Sequence, residues 1–141
     1  MPSQGTAQWQ GDLKSGSGTF AAGDGITGAY SFKSRFEDGD GANPEQLIGA
    51  AHAACFSMAL SNALAEAGTP VDAVDTTSVV TLRVVDGAPT ITKIALTTVG
   101  TVPGLDEAAF QAAAQDAKQN CPVSKALAGV GEMTLEASLA S

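Results

Sequence analysis

The 141-residue chain carries 15 Asp and Glu against 7 Lys and Arg, a formal net charge of −8, and that field disfavours nucleic acid and anionic membrane surfaces as partners. A hydrophobic fraction of 44% with 16 glycines supplies one core, so a single domain over 1–141 is expected and a disordered chain is not. Two Cys and one His, with no CxxC spacing, fall short of a common structural zinc site, so no metal is expected.

The opening stretch MPSQGTAQWQGD has neither a basic segment nor an apolar core of the secretory kind, which predicts a cytoplasmic protein. In that compartment a disulfide is transient and functional, because thiols are kept reduced. Residues 6 to 13, 16 to 22 and 29 to 36 place Thr, Trp, Phe and Tyr between Gly-rich breaks and read as an antiparallel meander. Arg35 then ends the third strand, and FEDGDG is a loop of acids and glycines.

Asn43 is a good N-cap, Pro44 suits the first helical position, Glu45 meets the positive end of the helix dipole and Gln46 can reach back to close a capping box. From Gln46 to Ala65 there is no charged residue, and Gly68 with Pro70 makes the stop. A membrane span is rejected because Gln46, Gly49, His52, Ser57, Ser61 and Asn62 interrupt the run and no Lys or Arg cluster flanks it. A helix this apolar all round, with Leu47, Ala51, Ala54, Cys55, Met58 and Asn62 recurring at helical spacing, is expected to be a central helix buried on several sides.

Two alternating runs around Asp86-Gly87 predict a hairpin whose Val80, Leu82, Val84, Ile94 and Leu96 face the core. A second helix is expected from Asp106 to about Gln119, with Leu105 and Phe110 spaced for a hydrophobic staple. NCPVSKALAG then reads as a break and a short helix, and EMTLEASL as a last strand. Three strands, a long helix, a hairpin, two helices and a strand make an α+β fold.

Cys55 in the apolar helix is either a small core hydrophobe or a nucleophile whose thiolate needs a cation. Arg35, one of two arginines, is the natural counter-ion, and it equally fits a surface charge paired with Glu37 or Asp38. Glu45 is explained by the helix dipole alone. His52, three residues before Cys55, suggests a catalytic base, although the usual third orienting group is not identifiable. Cys121 beside Pro122 stands where a helix N-terminus lowers a thiol pKa. Physical chemistry leaves open which cysteine attacks first.

The run GANPEQLIGAAHAACFSMAL, with SRFEDGDG before it and NCPVSKAL after it, closely resembles the OsmC branch of the OsmC/Ohr family of osmotically inducible and organic hydroperoxide resistance proteins. QWQGDLKSGSGT, ITKIAL and VPGLDE agree as well, so the resemblance covers nearly the whole chain. It implies an intertwined homodimer with antiparallel sheets packed around long buried central helices, and a cysteine peroxidase without metal or bound redox cofactor. It implies Cys55 as peroxidatic cysteine, Cys121 as resolving partner, and Arg35 with Glu45 as the pair that orients and activates Cys55.

The implied cycle runs from the Cys55 thiolate through a sulfenic acid to a Cys55–Cys121 disulfide, which an external thiol, of dithiol type in the Ohr branch, reduces. Glu45 and Cys55 are ten residues apart, about 15 Å along a straight helix, so sharing one guanidinium calls for a bend or a second subunit. An apolar wall of the Ala-rich helix with Phe36, Phe56 or Met58 is expected to favour alkyl peroxides over hydrogen peroxide. The competing readings are a small-ligand binding dimer with silent cysteines, and a structural dimer whose two thiols label slowly.

Overall fold

A computed structural model describes residues 1–141, and its elements follow in the order β1 (Gly5–Gln10), β2 (Ser17–Ala22), β3 (Ile26–Tyr30), α1 (Phe32–Phe36), α2 (Pro44–Glu66), β4 (Ala73–Val85), β5 (Ala88–Thr101), α3 (Glu107–Asn120), α4 (Pro122–Ala126) and β6 (Glu132–Leu139). The fold is α+β, as the pattern predicts. The chain divides into two compact units, Met1–Leu47 and Ile48–Ser141.

In the Met1–Leu47 unit β1, β2 and β3 form an antiparallel meander, with the Trp9 and Tyr30 rings 5.4 Å apart across it. The third strand ends at Tyr30, earlier than expected, and Arg35 lies on the short helix α1. The cause is a capping box at Ser31. The Ser34 N–H donates to Ser31 Oγ (3.1 Å) and the Ser31 N–H to Ser34 Oγ (2.8 Å), which turns the chain out of the sheet.

A second capping box opens α2: the Gln46 N–H donates to Asn43 Oδ1 (2.8 Å) and the Asn43 N–H to Gln46 Oε1 (3.1 Å). At the far end Gly68 adopts φ 90°, and the N–H groups of Gly68 and Thr69 return to the carbonyls of Ala65 and Leu64. That is the Schellman stop that a glycine permits. Between them α2 buries one stripe, His52, Phe56, Leu60 and Leu64, with Gly49 allowing its backbone close to the Ser78 carbonyl of β4.

The opposite face differs from the expected all-round burial. Ala50, Ala51, Ala54, Met58 and Ala65 are exposed, and only 28% of the apolar window of α2 is buried within the chain. Small side chains on both faces of α2 hide the distinction from any count of apolar residues.

In the Ile48–Ser141 unit the hairpin β4–β5 turns at Asp86 (φ 50°) and Gly87 (φ 80°), the two left-handed positions that suit a tight two-residue loop. Ile94 and Leu96 are buried and Val80 and Leu82 half-buried, whereas Val84 is exposed. A register shift at Thr81/Leu82 interrupts the alternation on which Val84 was placed inward.

The sheet order is β4-β5-β6, and β6 pairs parallel to β5, which corrects the expectation of antiparallel sheets throughout. The connection through α3 and α4 is long enough to return the chain to the start of β5, as parallel pairing requires. Asp106 caps α3 by accepting from the Ala109 N–H at 2.8 Å. Phe110 from α3, Ile94 and Leu96 from β5, and Phe56, Leu60 and Leu64 from α2 form the core that also encloses Cys121.

Candidate active site

Each half of the candidate constellation lies in its own unit: Arg35 and Glu45 in Met1–Leu47, Cys55 and Cys121 in Ile48–Ser141. The first half is built by sequence-local hydrogen bonds. Ser34 Oγ donates to the Ala42 carbonyl (2.7 Å) and Asn43 Nδ2 to the Ser34 carbonyl (3.1 Å), folding the acidic loop back so that α1 meets the first turn of α2. Arg35 then donates from Nη2 to Glu45 Oε1 (2.7 Å) and from Nε to both carboxylate oxygens (3.1 and 3.3 Å).

Glu45 is buried, so the pair is charge-assisted and well fixed, while a third of the Arg35 side chain (34%) stays open to solvent. The Arg35 Cζ also lies 5.4 Å from the Phe36 ring centre. A dipole-stabilised helix-start acid alone would leave Glu45 facing water. Its burial against a guanidinium gives it a second role.

The second half is built by tertiary packing. Cys55 is half-buried on α2, Cys121 is fully buried between α3 and α4, and their sulfurs stand 3.0 Å apart as free thiols. A disulfide bond is about 2.05 Å long, so a shift of roughly 1 Å would close one. Burial pushes the Cys55 thiol up, and its hydrogen bond with Cys121 adds to this. Burial also opposes ionisation of Cys121, but the hydrogen bond from Cys55, together with the N–H and hydroxyl of Ser124 and the N–H of Val123, draws its pKa down.

Within one chain, then, the shared proton sits on Cys55 and the thiolate on Cys121. This is a local effect: α4 has five residues and Cys121 makes no side-chain capping hydrogen bond, so the lowering comes from nearby N–H and O–H dipoles and not from a helix macrodipole.

His52 is fully buried, and its Nε2 lies 2.7 Å from Ser124 Oγ. Burial lowers its pKa and keeps it neutral. It therefore does not stand as a base beside Cys55. Ser124 is a residue the sequence reading passed over. Its spacing of three from Cys121 on a short helix is the one signal that could have found it, since i and i+3 share a helix face. Phe56, expected near a substrate wall, belongs to the core, whereas Phe36 and Met58 are exposed. No group of three or more His, Cys, Asp and Glu side chains is placed to hold a metal ion.

Fold and site together define an α+β protein built around a reduced dithiol. The chain belongs to the OsmC family: the family model described as OsmC-like protein matches residues 37–136. It is 49% identical over 140 residues to the peroxiredoxin OsmC of Escherichia coli (strain K12), covering 98% of this chain and 96% of that protein. It is 34% identical over 99 residues to an organic hydroperoxide resistance protein of Xanthomonas axonopodis pv. citri (strain 306), covering 69% of this chain and 67% of that one. Among solved structures it is similar to the organic hydroperoxide resistance protein OhrB of Bacillus subtilis, with a TM-score of 0.68 and 26% identity over 97% of this chain and 98% of that chain.

Proposed function

We propose that the chain is a cysteine-based peroxidase that reduces organic hydroperoxides and hydrogen peroxide. The carrying observation is the pair of free thiols, 3.0 Å apart, one half-buried and one enclosed. Similarity to a peroxiredoxin over nearly the full length, and to an organic hydroperoxide resistance protein over two thirds, supports the same chemistry. Silent cysteines in a ligand-binding dimer leave the close approach of the two sulfurs unexplained.

Cys55 is the peroxidatic residue in this reading because it alone of the two reaches solvent. Its thiolate attacks a peroxide oxygen, the O–O bond breaks, alcohol or water leaves, and Cys55 becomes a sulfenic acid. Cys121 then displaces hydroxide from the Cys55 sulfur, forming the S–S bond and releasing water. An external thiol, of dithiol type, returns both to the reduced state. The setting is cytoplasmic and no cofactor takes part.

The proton placement within one chain is opposite to what this chemistry needs, and a cation beside Cys55 reverses it. Arg35 is the residue assigned to that task, with Glu45 holding its fork. Because α2 is one continuous helix, Glu45 and Cys55 are about 15 Å apart along it, which favours an intertwined homodimer in which Arg35 of the partner subunit faces Cys55. The exposed Ala51, Ala54 and Met58 on α2, beside a cavity of 450 Å³ lined by Ser57, Met58 and Asn62, are apolar surface that a second copy would cover. We read 1–141 as one domain, since α2 belongs to both units.

Rapid mixing with one equivalent of cumene hydroperoxide, followed by mass spectrometry of the quenched protein, tests the proposal. The expected product is a Cys55–Cys121 disulfide formed in a single fast turnover. Persistence of both thiols under these conditions overturns it.

A further inference from the structure

The peroxide chemistry makes no use of the one histidine, although it is fully buried within the Ile48–Ser141 unit. His52 Nε2 lies 2.7 Å from Ser124 Oγ, and Nδ1 is buried without a hydrogen-bond partner. Ser124 follows Cys121 by three residues, and its hydroxyl acts on the Cys121 sulfur, which stands 3.0 Å from Cys55. Four side chains thus form one line: imidazole, hydroxyl, thiol, thiol.

The single proton of the Ser124 hydroxyl can go to only one neighbour. Given to His52, it would force the imidazole proton onto Nδ1, where a buried donor would have no acceptor. Orphaned buried donors are rarer than under-used acceptors, so the imidazole proton belongs on Nε2 and Nδ1 keeps a lone pair. His52 then donates to Ser124, and the Ser124 proton is free to point at sulfur.

We propose that His52 and Ser124 are positioning residues for the resolving thiol, the imidazole Nε2–H fixing the hydroxyl so that its proton stabilises the Cys121 thiolate as it attacks the Cys55 sulfenic acid. The proposal rests on the assignment of Cys121 as the resolver. In the step, the Cys121 sulfur bonds to the Cys55 sulfur, the S–O bond breaks, and the proton lost from Cys121 leaves with the hydroxyl as water. Cys121 is oxidised as the sulfenic sulfur is reduced, so no further oxidant is needed. Neither His52 nor Ser124 gains or loses a proton overall.

The groups acting on Cys121 are Cys55 from α2 and, from α4, Ser124 and the Val123 N–H. This short roster makes the test clean. In a Cys55→Ser background the titration of Cys121 is followed by thiolate ultraviolet absorbance, which needs no reagent to reach the buried sulfur. Ser124→Ala is expected to raise the midpoint by about one unit, a tenfold loss of thiolate below it. Ser124→Thr, which keeps the hydroxyl, restores it. His52→Leu shifts it in the same direction by less, and His52→Gln, which keeps an N–H donor, recovers part of that.

In the two-cysteine protein, Ser124→Ala should send more of the Cys55 sulfenic acid to a dimedone adduct and less to disulfide. An unchanged midpoint in Ser124→Ala overturns the proposal. Should that variant fail to fold, equal midpoints in His52→Leu and the parent do the same. A wild-type protein that forms no disulfide with peroxide instead removes the peroxidase reading, while the titration still judges the positioning pair.

Discussion

The Met1–Leu47 unit and the Ile48–Ser141 unit carry complementary chemistry, and each is incomplete in its own way. The first holds a hard ion pair, Arg35 on Glu45, fixed by hydrogen bonds between residues no more than ten apart in sequence. The second holds a soft pair, Cys55 and Cys121, separated by 66 residues and joined only when α3 and α4 close over α2. The ion pair has a guanidinium with nothing to activate. The thiol pair holds its negative charge on the enclosed sulfur. A site that ionises Cys55 requires both, which is why the dimer assignment carries so much of the mechanism.

The largest effects should come from the soft pair. Cys55→Ser is expected to abolish peroxide turnover, by a factor on the order of 10³ or more, with little loss of fold, because the shape survives and the nucleophile does not. Undiminished consumption of cumene hydroperoxide would remove Cys55 from the site. Cys121→Ser should consume one equivalent of peroxide and then stall, with sulfenic and sulfinic Cys55 accumulating in the mass spectrum. Sustained cycling with a dithiol would show that Cys121 is not the resolver.

Next comes the hard pair, whose effect passes through a pKa. Arg35→Met should slow Cys55 oxidation at neutral pH by roughly ten- to a hundredfold, the effect of one to two pKa units, and Glu45→Gln less, by loosening the fork. The sharper experiment mixes chains. If the site draws Arg35 from the partner subunit, protein refolded from equal parts Cys55→Ser and Arg35→Met contains heterodimers with one intact site each. Activity should then recover to about a quarter of wild type, since half the dimers are mixed and half their sites complete. Recovery no greater than the sum of the two parents would place the whole site within one chain.

The sequence carries the local halves of this picture more legibly than the tertiary ones. Asn43, Pro44 and Gln46 announce the start of α2, and Asp86-Gly87 the hairpin, because caps and tight turns are decided by neighbours. Arg35 was placed on a strand because its neighbours Phe32 and Phe36 suit a sheet, whereas the Ser31–Ser34 capping box makes them helical. The faces of α2 were indistinct because Ala and Gly serve equally in a core and on an open face, so the buried stripe through His52 and Phe56 had no polar counterpart to reveal it. The hydrogen bond between His52 and Ser124, 72 residues apart, has no local trace at all.

A smaller effect separates the units by pH. Burial holds the His52 imidazole below its ordinary value of 6.5, so the unfolded chain binds the proton more readily than the folded one. The sign follows: stability from this residue is fully present above about pH 6.5 and is lost as pH falls towards the lowered folded value. Urea unfolding from pH 7.5 to 5 should show that slope in wild type and a shallower one in His52→Gln. Equal slopes would mean that His52 is protonated in the folded protein.

The smallest predicted effect discriminates best between the two regions. Asn43→Ala and Asp106→Ala each remove an N-cap, from α2 and α3 respectively, and each should cost about 1 kcal/mol of stability. By stability alone the two are equivalent. They differ in what else the cap holds. The Asp106 side chain serves the Ala109 N–H, whereas Asn43 also donates through Nδ2 to the Ser34 carbonyl on α1 and thereby helps to fix Arg35 against Glu45. Loss of that bond loosens the guanidinium that the mechanism places beside Cys55, so Asn43→Ala should slow Cys55 oxidation several-fold where Asp106→Ala leaves it within twofold of wild type. Both rates are read at one pH, well below the thermal midpoints of both variants, so that unfolding does not contribute. Equal rates in the two variants would mean that the position of α1 has no bearing on the thiol, and the ion pair would revert to a structural feature of the Met1–Leu47 unit.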